Sequence, residues 1–114
     1  MQIEQTGTRP ESEIPTPPGA TVRVLGGFYE GLDVPLEGDW TVIGRGRSAD
    51  LVLAEPTISR CHAALGFDGE SFFVQDLGST NGTKVNGVSE PRRNLSDGDE
   101  LELGKIRLLV RLPH

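Results

Sequence analysis

The chain has 114 residues, 35% of them hydrophobic, with 15 glycines, a single cysteine and a formal charge of −6. That length fits one domain with one modest core, and the acidic balance argues against a nucleic-acid-binding surface, which needs a basic stripe. The lone Cys61 excludes an internal disulfide, and no apolar run approaches the roughly 18 residues of a membrane helix, so a soluble cytoplasmic protein is expected.

Residues 1–19 hold four of the eight prolines (Pro10, Pro15, Pro17, Pro18) and few large apolar side chains. Such a segment buries too little surface to offset its ordering entropy, which predicts a flexible, disordered tail. The tail carries Thr6, Thr8 and Thr16.

From Ala20 onward, short apolar runs alternate with Gly, Asp, Asn and Pro clusters every eight to twelve residues, the signature of a β-sandwich or barrel. Strands are predicted over 21–25, 32–36, 40–43 and 51–53, with Pro35 favouring an edge. A fifth runs from Cys61 to Phe67, with Ala63, Leu65 and Phe67 in one phase, and turns at Asp68-Gly69 into 71–75. The run from Asp76 to Gly82 is too rich in turn formers to be a strand. Asn86-Gly87 is a strong two-residue hairpin signal between 83–85 and Val88, and the last strands are 101–103 and 106–110. No window sustains a 3.6-residue period, so almost no helix is expected.

Catalysis finds little support in these residues. His62, Cys61 and His114 are too few for a metal site, with His114 at the chain's terminus. A Ser59, His62, Asp76 triad lacks a nucleophile elbow and an oxyanion donor pair. Gly44-Arg45-Gly46 lacks the third glycine and the following helix of a dinucleotide motif. No enzyme activity, metal or cofactor is expected.

The stretch from Thr41 to Gly87 instead holds what a phosphorylated side chain needs: guanidinium forks, hydroxyls and free backbone N–H groups. Arg45 leaves a strand end at Gly44, Ser59 and Arg60 offer a hydroxyl and a second cation, and Thr80 and Asn81 offer a hydroxyl and an amide suited to a peptide main chain. All lie in predicted inter-strand loops.

The series Ile43-Gly44-Arg45, Ser59-Arg60-Cys61-His62 and Asp76-Leu77-Gly78-Ser79-Thr80-Asn81-Gly82-Thr83, followed by Leu95-Ser96-Asp97-Gly98-Asp99, resembles the forkhead-associated (FHA) domain from about Thr21 to Leu112. The resemblance implies an all-β sandwich of two sheets and about eleven strands over 20–112, binding phosphothreonine peptides through loops at one end. It puts phosphate contacts on Arg45, Ser59 and Thr80. Arg60 falls at a position that often touches phosphate or peptide, Asn81 at one that holds peptide backbone, and Gly44, His62 and Gly82 at positions that support the loops. Thr57 and the loops at 46–50 and 86–90 are where flanking selectivity is expected.

The expected role is a non-catalytic phosphothreonine reader in bacterial Ser/Thr kinase signalling, its partner a phosphorylated kinase or kinase substrate, with no nucleic acid or membrane involved. Two alternatives stand beside it. One is a phosphate-independent scaffold; the other is self-inhibition, in which a tail phosphorylated at Thr6, Thr8 or Thr16 occupies its own domain's site.

Overall fold

A computed structural model describes residues 16–113 of the chain. It contains eleven strands and, among the described residues, no helix: β1 (Thr21–Val24), β2 (Asp33–Pro35), β3 (Trp40–Gly44), β4 (Leu51–Val52), β5 (Ala63–Phe67), β6 (Phe72–Asp76), β7 (Thr83–Val85), β8 (Val88–Ser89), β9 (Arg92–Asn94), β10 (Glu100–Leu103) and β11 (Ile106–Arg111). The two-sheet, eleven-stranded sandwich expected from the sequence is what forms. One sheet has the order β2-β1-β11-β10-β7-β8, the other β4-β3-β5-β6-β9.

Alternation builds the core. Along β11, Ile106, Leu108 and Val110 turn inward while Arg107 and Arg111 face solvent. Val22, Val24, Leu101 and Leu103 from the same sheet meet Ile43, Leu51, Ala63, Leu65 and Val74 from the other, and Leu53 and Ile58 enter from loops. Each fully buried Leu or Ile contributes about 1.5–3 kcal/mol relative to exposure, so this layer dominates the fold's stability.

The smaller sheet carries a second apolar cluster on its outer face, where Trp40, Val42, Ala49, Ala64 and Phe73 pack together. Gly66 lies opposite both Trp40 and Phe73 in the strand register, and a β-carbon there would stand 3.0 Å from each side chain. The Arg92 guanidinium stacks 3.9 Å over the Phe73 ring and helps to close this cluster.

Three local expectations change. The strand predicted from Cys61 begins at Ala63, because the Arg60 and His62 carbonyls accept from Gly46 and Leu77 in neighbouring loops. The turn after Phe67 is a four-residue loop rather than a two-residue one, since Phe67 pairs with Phe72 and the Asp68 carboxylate accepts the N–H groups of Glu70 and Ser71. Strand β9, along the edge of the smaller sheet, was not anticipated. The Asn86-Gly87 hairpin forms as read: Val85 pairs with Val88, and φ is 50° at Asn86 and 87° at Gly87.

Of the predicted tail, residues 16–19 fall within the described region. The Thr16 hydroxyl donates to the Gly38 carbonyl (2.7 Å), and Pro17 and Pro18 line a cleft with Phe67, Phe72, Leu112 and Pro113. Thr6 and Thr8 lie outside the described residues. Among the described residues no helix is long and apolar enough to cross a membrane.

Candidate functional site

Strands β3, β6 and β10 end, and β5, β7 and β11 begin, at the same end of the sandwich, so their loops converge there. The loop 53–62 is the organiser. Its backbone takes the end of β3 through Arg45 N–H to Ser59 O (3.0 Å), Gly46 N–H to Arg60 O (3.1 Å) and His62 N–H to Ile43 O (2.9 Å). This approach requires a glycine at the strand end: a β-carbon on residue 44 would lie 1.9 Å from the Arg60 carbonyl oxygen.

Arg45 is exposed, and its Nε donates to the Ile58 carbonyl at 2.9 Å. That bond fixes the stem of the side chain and leaves both terminal amino groups of the fork for a ligand. Ser59 is half-buried, and its Oγ accepts the Thr80 N–H at 3.0 Å. With a lone pair so occupied, the hydroxyl proton is left to donate. This bond also ties the 53–62 loop to the 77–82 loop, so Ser59 and Thr80 stand side by side. Arg60, Thr80 and Asn81 are all exposed. The Asn81 Nδ2 donates to the Thr57 carbonyl at 2.8 Å, leaving its Oδ1 and a second N–H open.

His62 is fully buried between the two loops. Its Nδ1 accepts the Ser59 N–H (3.1 Å), so the ring proton sits on Nε2 and is donated to the Gly82 carbonyl (2.8 Å). The imidazole therefore pins both loops from beneath and does not face solvent. Asp76 organises the 77–82 loop from its other side, accepting from the Ser79 and Thr83 hydroxyls and from the Gly78 and Ser79 N–H groups. Burial pushes this carboxyl up, but the donated hydrogen bonds outweigh that effect and hold it below its ordinary range.

The structure thus brings Arg45, Ser59, Thr80 and Asn81 together around the 53–62 loop, with Arg60 alongside and Gly44, His62 and Gly82 behind them. The Asn86-Gly87 turn is not part of this group. It lies at the far end of β7, where the Asn86 amide bonds Asp99 and the Glu100 N–H; Ser89 returns to contact the Gly82 position. Sequence reading missed a neighbouring cleft of about 260 Å³ lined by Thr57, Asn81, Gly82, Lys84, Glu102 and Lys105. Only the pairing of β7 with β10 brings Lys84 and Lys105 near each other.

The profile of the FHA domain matches residues 41–104, more than half of the chain and the whole of this loop constellation. The chain belongs to the FHA domain family. It is 41% identical over 101 residues to the oxoglutarate dehydrogenase inhibitor of Corynebacterium diphtheriae, a match covering 86% of this chain and 69% of that protein. It is 37% identical over 94 residues to the glycogen accumulation regulator GarA of Mycobacterium tuberculosis, covering 82% and 58%. A solved structure from a study of phosphothreonine-dependent FHA domain interactions superposes with a TM-score of 0.76 at 34% identity, over 83% of this chain and 97% of the other. The chain spans only part of its curated relatives, down to 14% of mycobacterial FhaA.

Proposed function

We propose that this FHA domain is a non-catalytic, cytoplasmic reader of phosphothreonine that docks onto a phosphorylated kinase or kinase substrate. The observation that carries the reading is the Ser59–Thr80 junction. One hydrogen bond holds two hydroxyl-bearing loops together, and it is made so that the Ser59 proton, the Thr80 hydroxyl and the Arg45 fork all remain free to donate. A phosphoryl group offers the acceptors such a set lacks. Asn81, one residue along, keeps its Oδ1 and a second N–H open, which supports a role in holding main-chain groups of the same peptide.

Charge-assisted hydrogen bonds contribute about 1.5–3 kcal/mol each, so three give roughly 4.5–9 kcal/mol before the cost of ordering the peptide. Micromolar affinity needs about 8 kcal/mol net, which makes flanking contacts part of the reading.

Calorimetric titration with a phosphothreonine peptide, its phosphoserine counterpart and the unphosphorylated form tests it. Binding is expected for phosphothreonine, weaker for phosphoserine and absent without phosphate. Arg45→Ala and Ser59→Ala are each expected to weaken it about 10- to 150-fold. Unchanged binding in both variants would overturn the reading in favour of a phosphate-independent scaffold.

A further inference from the structure

Thr57 stands two residues before Ser59, and its N–H, carbonyl and hydroxyl are all engaged inside the protein. The hydroxyl donates to the Glu55 carboxylate at 2.8 Å, and the same oxygen accepts the Lys105 N–H at 2.8 Å. The N–H donates to that carboxylate at 3.0 Å, and the carbonyl accepts the Asn81 side-chain amide at 2.8 Å. Thr57 thus joins three loops at one point: its own, 53–62, the β10–β11 turn at Gly104-Lys105, and 77–82.

Chemistry fixes the direction of each bond. The Glu55 carboxyl is held below its ordinary range, first by the Thr57 N–H and then by the Thr57 hydroxyl, with the Lys105 charge adding a little. It is therefore ionised and can only accept, so the Thr57 proton points to Glu55 and leaves a hydroxyl lone pair for Lys105. A backbone carbonyl can only accept as well, so Asn81 turns Nδ2 toward Thr57 and Oδ1 away from it. That carbonyl has little room to move. The Ile58 N–H of the same peptide unit donates to the Glu55 carbonyl at 3.0 Å, and the Ile58 side chain is fully buried. On the other side the Gly104 backbone packs so closely that a β-carbon there would stand 2.4 Å from the Thr57 carbonyl oxygen.

We infer that Thr57 is a positioning residue for peptide recognition: it fixes which face of the Asn81 amide meets the ligand, so that Oδ1 accepts one main-chain N–H of the bound peptide. This inference rests on the function proposed above and on the part Asn81 plays in it. The peptide must then supply an N–H at that position, and a residue without one, such as proline, is refused there. The Thr57 group that matters is the hydroxyl. Without it the Lys105 N–H loses its partner, the β10–β11 turn is no longer tied to the 53–62 loop, and the Asn81 amide is free to turn over. Serine keeps the hydroxyl and should replace Thr57, whereas valine keeps the shape and should not. The loss in valine is one of pre-organisation, since Asn81 itself is unchanged.

An ester scan tests this. Each main-chain amide of a phosphothreonine peptide is replaced in turn by an ester, which removes the N–H without adding bulk. Affinities are measured by calorimetry for the wild type, Thr57→Ser, Thr57→Val, Thr57→Ala, Asn81→Ala and Thr57→Val/Asn81→Ala. In the wild type one ester position is expected to weaken binding about 3- to 10-fold, and proline at that position to weaken it at least as much. Thr57→Ser should keep that penalty; Thr57→Val, Thr57→Ala and Asn81→Ala should lose it. For the parent peptide, Thr57→Val/Asn81→Ala should bind within about twofold of Asn81→Ala alone, because both changes remove one interaction. Additive losses, or an ester penalty that survives in both Thr57→Val and Thr57→Ala, overturn the positioning role and leave Thr57 a structural residue. A wild type indifferent to every ester overturns it too, while binding that depends on phosphate and Arg45 still stands. Loss of phosphate dependence in the wild type would instead overturn the function on which the inference rests.

Discussion

At the scale of single residues, Gly44 and Asp76 show how little separates a binding loop from a broken one. Adding one methyl group at position 44 drives it into the Arg60 backbone carbonyl, which cannot rotate away as a side chain would. Gly44→Ala is therefore expected to cost about 3 kcal/mol or more in urea denaturation, and to remove phosphopeptide binding by displacing Ser59 and Arg60. Asp76 acts through charge. Its carboxyl is held below the ordinary value of 3.8, so its contribution to stability is complete above that pH and is lost as pH falls through the lower folded value. Wild-type stability should accordingly fall below about pH 4, and Asp76→Asn should fall less steeply over the same range. At pH 7 that variant should be less stable by about 1–3 kcal/mol, because its amide turns a donor toward donors. Melting curves of both proteins between pH 2.5 and 7 would check this; parallel acid limbs would contradict it.

At the scale of elements, the site depends on loops 53–62 and 77–82 moving as one body, and His62 is the pin. Removing this fully buried ring leaves a cavity and takes their partner from the Ser59 N–H and the Gly82 carbonyl, both on half-buried residues. His62→Ala is expected to lose about 2–4 kcal/mol of stability and to weaken phosphopeptide binding although His62 faces no ligand; equilibrium unfolding and titration of the same sample would show both. The same elements show what a sequence makes legible. The Asn86-Gly87 hairpin was readable because its φ requirement is local, and the alternation of Ala63, Leu65 and Phe67 because one face is buried. Arg45, Ser59 and Thr80 were readable because turn residues and strand ends mark their loops. Strand β9 was not: Arg92-Arg93-Asn94 has no apolar phase, and it becomes a strand by pairing with β6 while the Arg92 guanidinium covers Phe73. Nor was the lysine cleft, since 21 positions separate Lys84 from Lys105 and only strand pairing joins them.

At the scale of the whole molecule, self-occupation by a phosphorylated tail becomes a question of reach. Thr16 is bonded to Gly38, in the bend before β3, whereas Arg45 follows the end of that five-residue strand, which separates the two points by about 17 Å. A docked Thr16 therefore sits at the wrong end of the sandwich for its own site, and a phosphate on its hydroxyl would remove the proton donated to Gly38. Thr6 precedes Thr16 by ten residues and Thr8 by eight. Fully extended, those lengths span about 33–36 Å and 26–29 Å, while coils of the same lengths span about 16–19 Å and 14–17 Å. Both Thr6 and Thr8 reach the site without full extension, so each should compete for it while Thr16 should not. Chains carrying phosphothreonine at each position singly, titrated with a labelled phosphopeptide, would read that difference. A tethered phosphothreonine segment with an intrinsic Kd of about 10 µM, at about millimolar effective concentration, would raise the apparent Kd of a competing ligand about 100-fold in the Thr6 and Thr8 forms. The Thr16 form should bind as tightly as a chain lacking residues 1–15. Equal affinity in all three forms would mean that the domain reads phosphate only on other chains.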